Sequence, residues 1–145
     1  MSEESPKTYQ DDNIFAQILS GKIPSVKLFE NDDCLAILDA FPQSKGHSLL
    51  IPKSPSRNLL DADPGQLATI LPEVQKLALA TKSALKADGI KIAQFNETAA
   101  GQTVFHLHFH IIPAFDGVEI GQHASQMVPT EELNEIAEKI RAKLS

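Results

Sequence analysis

Three of the five histidines of this 145-residue chain, His106, His108 and His110, occupy alternate positions in the segment HLHFH. Successive side chains of a β-strand point to opposite faces, so a strand here would present all three imidazoles on one face. The residues that alternate with the histidines are large and apolar: Phe105, Leu107, Phe109 and Ile111. The spacing therefore predicts a strand with one face in a core and three imidazoles on the other.

Three chemistries compete to explain this pattern. The first is a solvated polar face, although such faces usually mix several polar residue types. The second is a metal site, since neutral imidazole is a common ligand. In a strand, however, residues i and i+4 lie about 13 Å apart, so His106 and His110 cannot both reach one ion through bonds of about 2 Å.

The third interpretation, which the pattern favours, is catalysis by the middle imidazole. A neutral imidazole is a nucleophile that can form a covalent intermediate, provided that its other nitrogen donates to a fixed acceptor. An ordinary histidine pKa of about 6.5 also lets a neighbouring imidazole pass a proton near neutral pH. We therefore interpret the segment as a reaction centre.

The elements that must position these residues begin with a short helix in NIFAQILSGK, which Asn13 can cap and Gly21 can end. The stretch SVKLFENDDCLAILDA then reads as two strands joined by a turn at residues 31–33, and GHSLLIP (46–52) reads as a third strand. Hairpin-joined strands of this kind predict antiparallel pairing.

A long helix is predicted from Asp63 and Pro64 to about Lys86, with Pro72 expected to kink or split it. Two more strands, 90–96 and 103–113, follow, and the chain ends in a helix that Thr130 can cap. This order predicts an α+β fold: an antiparallel sheet of about five strands with one long and two shorter helices, packed against one face. We expect residues 1–12 to form a disordered tail and 13–145 a single domain.

Composition narrows the classes of partner. Proteins that bind nucleic acid present a basic face to the phosphates. The net charge of −6 and the scattered basic residues of this chain therefore disfavour nucleic acid as a partner. No apolar run approaches the roughly 18 residues of a membrane span, and the polar N-terminal segment does not resemble a secretory signal, so we expect a cytoplasmic protein without membrane contact. A single cysteine, Cys34, excludes an internal disulfide.

The segment GQTVFHLHFHIIP resembles the signature of the histidine-triad (HIT) family of nucleotide hydrolases and transferases, His-φ-His-φ-His-φ-φ with φ apolar. NIFAQILSGKIPS is similar to the N-terminal helix of its Hint-like branch. CLAILDAFPQSKGHSLLIPK and FNETAAGQTVFHLHFH resemble further family segments, so the likeness covers about residues 13–115. It implies a HIT-like fold, a homodimer and a purine nucleotide as substrate, cleaved at the α-phosphate.

The resemblance also implies roles for the histidines. His108 would attack the α-phosphate and form a nucleotidyl-histidine, which water then hydrolyses to a nucleoside monophosphate. His110 would contact the phosphate oxygens, His106 would hold His108, and His47 would lie close to all three. Phosphoramidates and dinucleoside polyphosphates are the implied substrates.

The remaining site residues follow from the same likeness. Asn96, Gln102 and Thr103 match positions that hold the phosphate and leaving group, and Thr103 can do so only where irregular backbone interrupts the strand, which Gly101 allows. Asp39 matches the acceptor of the ribose hydroxyls, although it could equally end a strand as a turn residue.

The apolar walls around the base match four residues that could instead serve only in packing: Ile14, Phe15, Ile18 and Ile37. The Cys-x-x-Cys of many bacterial relatives is replaced here by DDNIFAQI, so no structural zinc and no cofactor are expected. A nucleotide-binding or scaffolding module with incidental hydrolysis, and a nucleotidyl transferase, remain alternative functions.

Overall fold

The computed structural model describes residues 9–144 and contains one five-stranded antiparallel sheet with three α-helices. The strands are β1 (Lys27–Glu30), β2 (Cys34–Leu38), β3 (Ser48–Pro52), β4 (Gly89–Ala93) and β5 (Phe109–Ala114), in the spatial order β1-β2-β3-β5-β4. The helices are α1 (Ile14–Leu19), α2 (Pro64–Leu85) and α3 (Thr130–Arg141). Short 3-10 turns occupy Leu59–Asp61 and Thr98–Ala100. The predicted α+β class is confirmed.

The helices cover both faces of the sheet, so the prediction that they share one face is wrong for α1. Every residue of β2 and β3 is buried, and therefore each face needs a cover. On one face Cys34, Ala36 and Leu38 pack with α2 and α3. On the other face Leu35 and Ile37 pack with α1. This second layer places α1 on the face of the sheet that carries His110.

The first half of the predicted histidine strand is irregular, because β5 begins only at Phe109. Gly101 opens this stretch with a φ of +100°, a left-handed conformation that favours glycine. Instead of pairing with a strand, the N–H of Leu107 donates to the carbonyl of Ser56 at 2.9 Å. The loop before the first 3-10 turn therefore holds residues 103–108, and the irregular backbone expected around Thr103 is present.

Most of the predicted helix features hold, and two do not. Asn13 caps α1 by accepting from the N–H of Ala16 at 2.9 Å, and Asp63 caps α2. Pro72 does not split α2, because buried residues on both sides, such as Ile70 and Val74, keep the helix packed despite the missing N–H. α2 ends at Leu85 with the left-handed Lys86 as its cap, as predicted, whereas α3 begins at Thr130 with Pro129, not Thr130, in the cap position.

The predicted N-terminal tail is described only in part, since residues 1–8 lie outside the described residues. Residues 9–12 lead into α1 through a turn in which the N–H of Asn13 donates to the carbonyl of Gln10. The Tyr9 hydroxyl contacts His106, so the domain includes at least one residue that precedes the expected boundary. Within residues 9–144, no helix has the length and apolarity needed to cross a bilayer.

Candidate active site

Four histidines meet on the α1 face of the sheet, along β3 and the first residues of β5. His47 comes directly before β3, and His110 lies in β5 opposite Leu49 of β3. All four imidazoles are buried, with exposed fractions of 0% for His47, 1% for His106 and 9% each for His108 and His110. Sheet pairing thus joins His47 to a triad about sixty residues away, as the resemblance implied.

His108 is held in a single tautomer by the backbone. Its Nδ1 lies 2.6 Å from the carbonyl oxygen of His106, which can only accept, so Nδ1 carries the proton and Nε2 carries the lone pair. Burial lowers the pKa of His108 to about 4, which keeps the ring neutral at pH 7. The Phe15 ring packs edge-on against it at 4.6 Å between centroids. A neutral, fixed imidazole with its lone pair on Nε2 has the properties of a nucleophile.

His106 is fixed by two partners of its own. Its Nε2 donates to the carbonyl of Pro52 at 2.7 Å, so Nδ1 accepts from the Tyr9 hydroxyl at 2.6 Å. Burial lowers the pKa of His106 as well. The imidazole of His106 therefore does not hold His108 directly; its main-chain carbonyl does.

A second relay fixes the proton of His110. The N–H of Gln43 donates to Nδ1 of His47 at 3.0 Å, so the His47 proton lies on Nε2. That proton is donated to Nδ1 of His110 at 3.0 Å, which leaves the His110 proton on Nε2 as a donor for a ligand. Burial, followed by the neighbouring imidazoles, lowers the pKa of His47 to about 3 and that of His110 to about 4.

Asp39 follows β2 and places a carboxylate beside this relay, with one of its two oxygens hydrogen-bonded. Its Oδ1 accepts from the N–H of Phe41 at 2.8 Å. Its Oδ2 lies 3.6 Å from Nε2 of His47 and 3.7 Å from Nδ1 of His123, beyond hydrogen-bond distance of every donor in residues 9–144. Burial raises the pKa of Asp39. The free oxygen is suited to accept from hydroxyl groups of a ligand.

His123, a residue that the sequence analysis did not single out, closes this side of the site. Its Nδ1 donates to the carbonyl of Phe41 at 2.7 Å, and its ring centroid lies 5.4 Å from that of His47 and 6.1 Å from that of His110. It belongs to an irregular segment, 121–128, that bonds along the 40–43 loop: the N–H of Ala124, for example, donates to the carbonyl of Pro42. In the sequence, its residue type was the only feature that could have indicated a role in this site.

Asp39, His47 and His123 bring three potential metal ligands within 4.8 Å of one another, but their hydrogen bonds do not fit an ion. Only Nε2 of His47 faces the other two ligands, and that nitrogen carries the proton donated to His110. Moving this proton to Nδ1 would set it against the N–H of Gln43. The hydrogen bonds of these residues fit a proton relay better than a metal centre.

Two of the three residues matched to the phosphate and leaving group hold the loop around the triad. The Gln102 amide donates to the carbonyls of Arg57 and Val104, and its Oε1 accepts from Asn58 and from the N–H of Glu97. Asn96 accepts from the N–H of Leu59 at 2.9 Å and pairs with Gln94. Thr103, by contrast, is exposed.

The four residues matched to the base differ in exposure. Ile14 is 46% exposed at the start of α1, whereas Phe15, Ile18 and Ile37 are buried in the cluster between α1 and the sheet. Phe15 also contacts His106 and His108. Ile18 and Ile37 thus contribute to packing, and Ile14 and Phe15 lie where a ligand could contact them.

An ion pair missed by the sequence analysis supports the same loop. Arg57 donates to both carboxylate oxygens of Glu97, at 2.8 and 2.9 Å, and its guanidinium lies 4.1 Å from the centroid of the Phe105 ring. Phe105 is consequently only half-buried, although alternation placed it in the core. No local pattern joins two residues that lie forty positions apart.

Comparison with known proteins agrees with this geometry. Residues 20–117 match the HIT domain. A 106-residue stretch is 42% identical to adenylylsulfatase HINT3 from Arabidopsis thaliana, covering 73% of this chain and 54% of that protein, so the chain spans about half the length of this relative.

Two solved structures extend the likeness to the whole fold. A HIT-like protein from Bartonella henselae, crystallised with an unknown ligand, is 51% identical, with a TM-score of 0.92 over 95% of this chain and 100% of that one. A HIT family hydrolase from Clostridium thermocellum is 30% identical, with a TM-score of 0.66 over 76% and 96% of the two chains.

Proposed function

The chain belongs to the HIT family, and we propose that it is a hydrolase of purine nucleoside 5′-phosphate derivatives that acts at the α-phosphate through a covalent nucleotidyl-His108. The single observation that carries the proposal is the bond from Nδ1 of His108 to the carbonyl of His106, because it leaves the lone pair on Nε2. The fixed lone pair distinguishes a nucleophile from a histidine that merely binds phosphate.

In the first step, Nε2 of His108 forms a bond to the α-phosphorus as the bond to the leaving group breaks, and the leaving group departs with that electron pair. A phosphate or sulfate leaves as an anion, whereas an amine leaves as the neutral molecule because its nitrogen takes up a proton from solvent. The imidazole becomes positively charged, and its Nδ1–H points at the carbonyl of His106, which stabilises that charge. In the second step, water attacks phosphorus, the P–N bond breaks and its electrons return to Nε2. Water delivers one proton to solvent, and the nucleoside monophosphate is released.

The second relay supplies the electrostatic part of the mechanism. Nε2 of His110 donates to a non-bridging phosphate oxygen, whose charge grows in the transition state. His47 keeps that proton on Nε2 by donating to Nδ1 of His110. A donor that is already oriented needs no rearrangement during the reaction.

Asp39 and the start of α1 are proposed to bind the nucleoside. The free Oδ2 of Asp39 accepts from the ribose hydroxyls, and the base lies against Ile14 and Phe15. Gln102 and Asn96 act by fixing the loop backbone around the phosphate, and Thr103, which is exposed, contacts the leaving group.

Three classes of leaving group are compatible with this mechanism: an amine, a nucleotide or polyphosphate, and a sulfate. The Arabidopsis relative is an adenylylsulfatase, and this activity adds sulfate to the classes of leaving group that the resemblance implied. A nucleotidyl transferase differs only in the acceptor of the second step, and a binding module would retain affinity without turnover.

A homodimer is also proposed, on the basis of uncovered apolar surface. β4 lies at the edge of the sheet, where it pairs only with β5, and Ile92 in that strand is 46% exposed. Leu71 and Leu79 of α2 are exposed as well. An edge strand beside apolar side chains is suited to pairing with a second copy. Light scattering of the purified chain tests this, and a monomer at micromolar concentration would contradict it.

The proposed activity is tested by monophosphate release in EDTA from three adenosine compounds: the 5′-phosphoramidate, the 5′-phosphosulfate and diadenosine tetraphosphate. We expect the wild type to release AMP from at least one compound, with a loss of at least about a thousandfold in His108→Ala. Tight AMP binding without turnover of any compound would instead identify a binding module. Acceptor-dependent decay of the intermediate would identify a transferase.

A further inference from the structure

The contact between Tyr9 and His106 joins the N-terminal segment to the histidine cluster. The Tyr9 hydroxyl lies 2.6 Å from Nδ1 of His106, a residue 97 positions later, and the two rings pack edge-on at 5.5 Å between centroids. Tyr9 precedes α1 and belongs to the stretch that composition alone assigned to a tail. The role proposed above for the histidines makes no use of it.

The direction of this hydrogen bond follows from the other nitrogen of His106. Nε2 faces the carbonyl of Pro52 at 2.7 Å and must donate, so Nδ1 of the neutral ring is an acceptor. The Tyr9 hydroxyl is therefore the donor. Burial raises the pKa of Tyr9, which keeps that donor protonated at neutral pH.

The ring of His106 is thus clamped on both sides, and its own main chain carries the acceptor for the nucleophile. The carbonyl of His106 receives the proton of His108 at 2.6 Å. No strand ladder fixes this carbonyl, because β5 begins at Phe109. The N–H of Leu107, in the same peptide unit, donates to the carbonyl of Ser56 at 2.9 Å, and the side-chain contacts of His106 with Pro52 and Tyr9 fix the residue on its other side.

We propose that Tyr9 is a positioning residue for the reaction: its hydroxyl fixes the ring of His106, the carbonyl of His106 then fixes His108, and the lone pair of His108 stays aimed at the substrate. The inference rests on the proposed hydrolase activity. It makes the N-terminal segment part of the active site, although Tyr9 does not touch the reacting atoms.

The hydroxyl can be removed without releasing the segment that carries it. Asn13 donates to the carbonyl of Gln10 from its side-chain amide at 2.7 Å and from its backbone N–H at 3.3 Å, so residues 10–13 are tied to the start of α1. Tyr9→Phe keeps the aromatic edge on His106 and deletes the hydroxyl, which also contacts the side chain of Asn13. Ser20→Ala is a matched control, since the Ser20 hydroxyl at the far end of α1 donates only to the carbonyl of Gln17.

The experiment compares these variants by steady-state kinetics with the best substrate of the wild type, and by ¹⁵N NMR of the histidine side chains. For Tyr9→Phe we expect kcat to fall about five- to tenfold, KM to change less than about twofold, and the Nδ1 resonance of His106 to move toward that of an unbonded nitrogen. In a His106→Phe background, Tyr9→Phe should have no further effect on kcat, because the bond is already gone. Ser20→Ala should match the wild type throughout.

Four other results would each contradict a different step of this proposal. An unchanged His106 resonance in Tyr9→Phe would show that the bond is not formed in solution. A shifted resonance with unchanged kcat would show that the bond does not position His108. A fall in kcat accompanied by the same loss of melting temperature as Tyr9→Ala would assign Tyr9 a purely structural role. A wild type without turnover would refute the proposed function instead, and the resonance would still decide whether Tyr9 bonds His106.

Discussion

The two ends of the histidine cluster are held by different kinds of group. His108 and His106 donate to backbone carbonyls, those of His106 and Pro52. His110 instead accepts from another imidazole, that of His47, which in turn accepts from a backbone N–H. A carbonyl cannot titrate or be removed by a side-chain substitution, whereas an imidazole can. The orientation of the nucleophile should therefore tolerate neighbouring substitutions better than the orientation of the phosphate donor.

The largest effect should come from removing the nucleophile itself. His108→Ala is expected to lower kcat at least about a thousandfold, while the affinity for AMP changes less than about fivefold because Asp39 and α1 remain. Steady-state kinetics and calorimetry with AMP measure the two quantities. Loss of binding in parallel with turnover would mean that His108 binds the nucleotide rather than attacks it.

The comparison of the two ends is tested by paired substitutions next to each histidine. His47→Ala should lower kcat about a hundredfold, because it removes the partner that keeps the His110 proton on Nε2. His106→Ala should lower kcat only about tenfold: it loses the ring contacts with Pro52 and Tyr9, but it retains the carbonyl that orients His108 and the Leu107 N–H that holds this peptide unit on Ser56. Equal losses of kcat in the two variants, or a larger loss in His106→Ala, would contradict the difference proposed between the two ends of the cluster. Circular dichroism of both variants controls for unfolding.

The pH dependence of turnover should report buried, neutral imidazoles. The pKa values of His108 and His110 are lowered to about 4, so kcat/KM should stay nearly constant from pH 8 down to about pH 5. It should then fall about tenfold per pH unit as protonation removes the lone pair of His108. A descending limb centred near 6.5 would indicate a solvated cluster, contrary to the burial described here.

The same burial predicts a smaller effect on stability. Unfolded histidines bind protons near pH 6.5, whereas folded His47, His108 and His110 do so only near pH 3 to 4. The unfolded state thus binds more protons between these values, and the free energy of unfolding should decrease as the pH falls from about 6.5 to 4. Asp39, whose pKa is raised, offsets part of this loss. Urea unfolding at pH 7 and pH 4.5 measures it, and equal midpoints would contradict the prediction.

The smallest expected effect is that of metal removal. Since hydrogen bonds already occupy both ring nitrogens of His47 and Nδ1 of His123, dialysis against EDTA should leave kcat within about twofold of its original value. Activity that is lost in EDTA and restored by zinc would show that the hydrogen-bond assignment of His47 is wrong.

Local pattern was sufficient to predict most elements and the central residues. Alternation and turn residues located four strands to within a few positions, but they began the fifth at residue 103 instead of at Phe109. The three histidines were recognisable from residue type and spacing alone. The face of the sheet that α1 covers could not be predicted, since the amphipathic pattern of a helix does not show which face of a sheet it packs against.

The contacts that orient the histidines could not be predicted from local sequence patterns. Strand β5 begins only after His108, because the loop near Pro52 supplies hydrogen-bond partners that compete with the sheet. Tyr9 and His123 reach the cluster from irregular segments, where periodicity carries no information. The pairing of Arg57 with Glu97 likewise exists only after the chain has folded.

The central claim is that Nε2 of His108 forms a covalent bond to the substrate, and rapid-quench mass spectrometry tests it most directly. The wild type, mixed with adenosine 5′-phosphoramidate in EDTA and quenched in base, should gain the mass of one adenylyl group within the first turnover. Peptide mapping should place that group on His108, and His108→Ala should gain none. AMP release by His108→Ala at the wild-type rate, or wild-type turnover with water attacking directly and no adduct at any time, would contradict the account.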